Sequence, residues 1–310
     1  MDNNFTTVYD IINYINDLTG IDSKLLFTEK SRSGYTSYAP NTTNSVKDKI
    51  LKLILDNINQ FKDYEIVQYN PIANIDGTVE TLKTNNIKGF NELLKDFEAP
   101  IASTDSITPD KITFYTLCLN DTTSRNNVYL FRRTTKFKRL NSTGFFAQFY
   151  NNTLTEFDSK LIGIDSLVDI VVIEDNAFIF NHISIERIFK MNEQYNEVAT
   201  KALSTLKSKN RITNFDEFEE DCLDDLRVQK MLAKLSAEDS LLENALNNFE
   251  SIKETIDLFD LTLDIDRSDN VEKLVYNGHD KQNLLEILRI IRDVYYISTV
   301  NHRQGIDQTA

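Results

Sequence analysis

Strand-like and helix-like patterns are segregated along this 310-residue chain, and that segregation limits the possible fold more than any other feature. Between Lys111 and Asn181, Val, Ile, Phe and Tyr gather in short runs bounded by Asn, Asp and Gly. Lys111–Leu119, Val128–Arg133, Phe145–Tyr150, Val168–Glu174 and Ala177–Asn181 all read as strands. Glu174, Asp175 and Asn176 between the last two read as a hairpin turn. Spacing this tight favours an antiparallel meander over parallel crossovers. From Ile183 the period lengthens. Ile185, Ile188 and Phe189, then Val198, Ala202 and Leu206, then Val228–Leu235, fit helical stripes. The fold class expected is α+β, a mostly antiparallel sheet in the middle of the chain with packed helices.

A smaller α/β region precedes this part. Val8, Ile11, Ile12, Ile15 and Leu18 form a helical stripe after Thr6 and Thr7, with Gly20 beyond its end. Ser23–Thr28 reads as a strand, and the polar stretch from Ser31 to Asn44, with Gly34 and Pro40, as a loop. Ser45 is the expected N-cap of a second helix with Val46, Ile50, Ile54 and Ile58 inward. A strand over Tyr64–Tyr69 and a short helix over Phe90–Phe97 follow. The segment EAPIASTDSITPD, Glu98 to Asp110, has two prolines and no periodicity. It divides the chain into an expected N-terminal region, residues 1–100, and a larger domain, residues 111–310. The C-terminal part adds strands over Leu261–Ile265, Lys273–Tyr276 and Tyr295–Val300, and a helix over Asn283–Arg292 whose start His279 and Asp280 cap.

The content of 41% hydrophobic and 26% charged residues is that of a globular protein able to bury a large core. No run of eighteen apolar residues encodes a membrane span, and the N-terminal MDNNFTTVYD has no apolar signal core, so a cytoplasmic protein is expected. Cys118 and Cys222, far apart in sequence, suit a reducing compartment without a disulfide framework.

Charge is distributed unevenly. The formal net charge is −14, and residues 214–270, an acidic helical segment, hold seventeen acids against five bases. Between Thr122 and Thr155, by contrast, there is no Asp or Glu. That window carries RNNVYLFRRTTKFKRL, with Arg125, Arg132, Arg133, Lys136, Lys138 and Arg139 interleaved with Tyr129, Phe131 and Phe137. Clustered cations suit a phosphate backbone, because each neutralised phosphate releases counterions and Arg adds paired hydrogen bonds. At the end of a strand, Arg132 and Arg133 point to opposite faces, so a basic hairpin tip is the natural geometry. The competing reading is a solvated loop, or an internal partner for the acidic helices. Tyr129 and Phe131 are expected in the core.

Other chemistry is sparse. Asp169, Glu174 and Asp175 in VDIVVIEDN resemble the strand-borne acids of metal-dependent nucleases, but no Glu-x-Lys follows. Asp257, Asp260, Asp264, Asp266 and Asp269 lack calcium-loop spacing and read as a solvated face. His182, His279 and His302 are the only histidines and none has a Cys or His at ligand spacing, so no metal site is expected. His302 with Arg303 offers a second, smaller basic position. No phosphate-loop or dinucleotide fingerprint occurs, and no cofactor is expected. Near Ser240, Leu242, Phe249 and Ile256 repeat every seven residues, as do Ala245, Ile252 and Phe259. This is either one face of a packed helix or a seam through which the chain forms a homo-oligomer.

The order VYLFRR, GFFAQFY, KLIGIDSLVDIVVIEDNAFIFNHISIERIFKM, a long helical insert and LLEILRIIRDVYYISTVNHRQ resembles the KwaB family of the Kiwa antiphage defence system, over roughly Ile112 to Gln304. The resemblance implies a cytoplasmic bacterial effector that binds phage DNA. It also implies a small membrane-spanning partner, KwaA, which would recruit the chain to the inner face of the cell membrane. It implies no catalytic residue. The expectation is thus a DNA-binding effector subunit rather than an enzyme, with a metal-dependent nuclease or a scaffold that binds no DNA as the alternatives.

Overall fold

A computed structural model describes residues 5–18, 21–102, 107–121, 127–134, 147–150, 153–156, 162–237, 239–268 and 270–307. Within them the architecture is α+β, and the chain divides into two compact units. The first comprises residues 1–69 and 75–191; the second comprises residues 70–74 and 192–310.

The first unit is built on one eight-stranded sheet. Helix α1 (Val8–Asn16) begins where the Asp10 carboxylate accepts the backbone N–H groups of Thr6 and Thr7, each at 2.9 Å. It buries Val8, Ile11 and Ile15. Strands β1 (Ile21–Ser31) and β2 (Gly34–Tyr38) form a hairpin in which Ser31 faces Gly34. Expected as a loop, residues 34–38 are a strand because Ser37 and Tyr38 are buried there, with the Ser37 hydroxyl 2.9 Å from that of Thr28. Gly34, at φ +137°, and Pro40 bracket this strand and do not interrupt it. Helix α2 (Asn44–Ile58) starts from Thr43, two residues before the expected cap. It buries Ile50, Ile54 and Ile58, while Val46 is 43% exposed.

The parallel pair β3 (Glu65–Gln68) and β4 (Thr78–Lys83), then helix α3 (Phe90–Glu98), complete the N-terminal part. β4 was not foreseen: TVETLK has too few apolar residues to announce a strand. The meander follows as β5 (Phe114–Asp121), β6 (Asn127–Arg133), β9 (Ile170–Ile173) and β10 (Asn176–Ile179). A separate hairpin, β7 (Ala147–Tyr150) with β8 (Thr153–Glu156), lies between β6 and β9 in sequence. Helix α4 (His182–Ile188) ends the unit. The strand order is β2-β1-β5-β6-β9-β10-β4-β3, antiparallel except for β3 with β4. Strands from both sides of the Glu98–Asp110 segment therefore belong to one sheet, and the compact units divide at Met191.

Both faces of the sheet are covered, which explains why its central strands read as unbroken apolar runs. Leu117, Leu119, Val128, Leu130, Val171 and Ile173 pack with α1 and α2 on one side. Alternate residues face an aromatic layer on the other: Phe131 meets Phe189 edge-on at 5.5 Å, and Phe97, Phe114 and Tyr129 lie within 6.4 Å of it.

The second unit is mostly helical: α5 (Met191–Lys209), α6 (Phe215–Asp224), α7 (Leu226–Ser236), α8 (Asp239–Asn244), α9 (Phe249–Leu258) and α10 (Lys281–Ile291). Two short hairpins join them, β11 (Ile265–Asp266) with β12 (Lys273–Leu274), and β13 (Tyr295–Ile297) with β14 (Gln304–Ile306). Asp280 caps α10, accepting from the N–H groups of Gln282 and Asn283 at 2.9 and 3.2 Å. Asp221 accepts from the Tyr276 hydroxyl and from the backbone N–H of His279. The helix expected from Ser240 is broken at Leu246, whose φ is +61°. Its heptad residues Ala245, Phe249, Ile252 and Ile256 are buried in this unit's own core with Leu203, Leu232 and Leu288. Phe249 is 6% exposed, so Phe249→Ala should destabilise the chain by about 3–5 kcal/mol in urea unfolding while leaving the mass in light scattering unchanged.

Candidate functional site

The basic window enters the structure at the end of β6, and two carboxylates meet it there. Arg132 is 8% exposed. Its guanidinium donates from Nε to Asp165 Oδ1 at 2.8 Å and from Nη2 to Asp165 Oδ2 at 2.5 Å. Nη1 donates to Asp169 Oδ1 at 3.0 Å. This is a fork on one carboxylate and a single bond to a second. Burial opposes the Arg132 charge, but hydrogen bonding with Asp165 and the charge of Asp169 outweigh it and hold its pKa above the ordinary guanidinium value.

Asp169 has no exposed surface. Its second oxygen accepts the Arg133 backbone N–H at 2.6 Å and lies 3.6 Å from Arg133 Nε. Its own N–H donates to the Phe131 carbonyl, and its carbonyl accepts from Phe180 and Asn181. One residue therefore ties the ends of β6, β9 and β10 together. The Tyr115 hydroxyl donates to the Asp165 carbonyl at 3.4 Å, and burial, aided by Asp165, pushes its pKa up. The next backbone link is Val168 N–H to the Asn57 side chain at 3.0 Å.

These contacts sort the residues singled out by sequence. Arg132 is engaged inside by carboxylates. Arg133, with 33% of its side chain exposed, stands where the chain leaves the sheet. Arg125, Lys136, Lys138 and Arg139 lie outside the described residues, as does Asp269 of the acidic run. Phe131 is core, and Tyr129 sits in the aromatic layer at 6.4 Å from Phe90 and 6.2 Å from Phe97. The trio Asp169, Glu174 and Asp175 is not brought together. Asp169 precedes β9 and the other two follow it, so about 16 Å of extended chain separates Asp169 from Glu174. Glu174, at φ +54°, forms the expected turn and accepts from the Tyr14 hydroxyl; Asp175 pairs with Lys83 at 2.9 Å. Among the described residues no three His, Cys, Asp or Glu side chains converge as metal ligands. Asp257, Asp260 and Asp264 are exposed. His302 and Arg303 close the β13–β14 turn, each through a bond to Ser298. A cavity of about 300 Å³ between α9 and α10 has Asp293 as the one charged group among its described lining residues.

Sequence reasoning missed Asp165 and Asp169 as the partners of Arg132. A signal was present: Asp169 is the one acid inside the apolar run Leu167–Ile173, and a buried carboxylate demands a cation.

Residues 110–301, well over half the chain, match the family model described as Kiwa protein KwaB-like. No curated protein and no solved structure matches. Among the described residues, no helix is long and apolar enough to cross a membrane.

Removing one member of the buried ion cluster strands the other. Arg132→Met should lower stability by about 3–5 kcal/mol in urea unfolding. Adding Asp169→Asn, which removes the stranded charge but keeps an acceptor for the Arg133 N–H, should recover part of that loss.

Proposed function

The chain belongs to the Kiwa protein KwaB-like family and is a component of Kiwa antiphage defence; from that premise we propose that it is the DNA-binding effector subunit of the system. The observation that carries this reading is the acid-free window from Thr122 to Thr155 in a chain of net charge −14. With Arg132 committed to Asp165 and Asp169, the phosphate contacts fall to Arg125, Arg133, Lys136, Lys138 and Arg139. Arg133, Lys136, Lys138 and Arg139 fall within seven consecutive positions of the sequence at and beyond the end of β6, where neutralised phosphates add up, while Arg125 precedes that strand. The acidic residues 214–270 repel phosphate and so favour DNA engaging the chain through the basic window alone.

A KwaA-like membrane-spanning partner supplies the membrane link in this reading, since no described helix can. The chain then reaches the inner face of the membrane by recruitment. Expressed alone, it should stay in the supernatant after ultracentrifugation, and co-expression with the partner should shift it to the pellet. Appearance in the pellet without a partner and without aggregation would contradict recruitment. No observation favours a metal-dependent nuclease, because Asp169 is consumed by Arg132 and Arg133 and lies far from Glu174.

Four to five phosphate contacts give a slope of log K against log salt of about −4 on duplex DNA. Lys136→Glu, Lys138→Glu and Arg139→Glu combined should weaken binding to all sequences alike, since phosphate contacts position without specifying. Arg133 is left out of that set because a carboxylate there would face the buried Asp169. Unchanged DNA affinity in the folded triple variant, measured by fluorescence anisotropy, would make the window a protein-docking element and the chain a scaffold.

A further inference from the structure

Two arginines of this chain are buried to a similar degree, and their surroundings are opposite. Arg132 is enclosed by carboxylates. Arg292, the C-cap of α10, is 6% exposed, and its Nε and Nη2 are buried with no hydrogen-bond partner among the described residues. Guanidinium keeps its proton at neutral pH, so these are charged donors without acceptors. Burial pushes the Arg292 pKa down; Asp307 opposes that shift, and Arg289 and Arg227 add to it. Arg289 stands one turn earlier on α10, and Arg227 lies in the first turn of α7. Arg227 is exposed, Arg289 half-buried and Arg292 buried, a graded series from surface to interior.

We propose that Arg292, Arg289 and Arg227 form a receptor for the phosphate group of a small molecule. The planar edge formed by Arg292 Nε and Nη2 matches two oxygens of one phosphate side by side. Arg289 and Arg227 add positive charge around Arg292, which Asp307, and Glu286 beside Arg289, offset in part; an anion such as a phosphate monoester, close to doubly charged at neutral pH, suits such a group. A backbone diester carries a single charge and is flanked on both sides by sugars, so it does not reach donors sealed from solvent. The site is therefore separate from the basic window and from DNA. Entry needs a local opening, and the element nearest in sequence that can supply it is the β13–β14 hairpin, which has three residues per strand and whose base, two residues beyond Arg292, is held by the Asp307 N–H on the Val294 carbonyl at 2.8 Å. Short two-stranded ribbons are the kind of element that opens easily.

Thermal unfolding of the whole chain in inorganic phosphate, against chloride of equal ionic strength, tests the proposal. Phosphate should raise Tm by about 3 °C or more and saturate in the millimolar range. Arg292→Met should abolish the rise and have a phosphate-free Tm equal to or above that of the parent, because an uncompensated buried charge is gone. Arg227→Gln, at an exposed position, should keep the fold and weaken the apparent phosphate affinity several-fold. No phosphate-specific rise, or a rise that survives Arg292→Met, overturns the assignment. So does an Arg292→Met chain that fails to fold, since its charge would then be satisfied from within. Duplex DNA at matched phosphate concentration should give no Arg292-dependent rise; if it does, the ligand is a polymer and the small-molecule site is wrong.

Discussion

The end of the sheet where β6, β9 and β10 meet depends on Asp169 reaching its cation. Asp169 sits without exposed surface at the point where β6, β9 and β10 finish, and a bare carboxylate there would be untenable. Arg132 supplies the charge, Asp165 anchors the other edge of the guanidinium, and the Arg133 N–H takes the remaining oxygen. Such a cluster adds little net stability over a well-packed apolar one, because removing two ions from water offsets most of their attraction. Its effect is one of registry. Only one alignment of β6 against β9 brings Arg132, Arg133 and Asp169 together, and a slip by one residue would turn Arg132 outward and leave the carboxylate alone.

The cluster also separates two neighbouring residues of identical chemistry. Arg132 faces in and Arg133 faces partly out because successive strand side chains alternate. Basic charge in this chain thus has two uses one position apart, an interior lock and a surface charge at the mouth of the acid-free connection. A third use recurs at β1, where Lys30 Nζ donates to the carbonyls of Glu186 and Arg187 at 3.0 and 3.1 Å and caps the C-terminal end of α4. Counting cations in the sequence cannot separate these roles, because what distinguishes them is which acceptors the fold brings near.

Much of the fold was legible for physical reasons that the structure makes plain. The central strands announced themselves because both faces of the sheet are buried, so nearly every position had to be apolar. α1 and the start of α10 were legible from local signals, a threonine pair and an Asp cap, that need no tertiary partner. β2 and β4 were not legible, because GYTSY and TVETLK owe their state to neighbours in the sheet more than to their own composition. The division at Glu98–Asp110 misled for a related reason: a prolyl, aperiodic connection looks the same whether it links two domains or two strands of one sheet. The heptads after Ser240 were real as a buried face but not as one helix, since nothing in the pattern marks the left-handed residue Leu246. Of the site, the basic window was visible and its lock was not, because Asp165 and Asp169 lie more than thirty positions along the chain from Arg132.

The placement of that window has a consequence for divergence. β6 and β9 are neighbours in the sheet, yet the chain between them runs from Thr134 to Val168 and carries its own hairpin, β7 with β8. Both ends of this excursion are pinned by the same carboxylate. The entropy of closing such a segment grows only with the logarithm of its length, about 0.6 kcal/mol per doubling. Insertions and deletions between Thr134 and Ile162 are therefore nearly free for the sheet, whereas Ile162, Ile164, Asp165 and Val168 are held by the core and by Arg132. Members of the family can be expected to vary most in length there, with the Arg and Asp that frame the gap as its fixed posts.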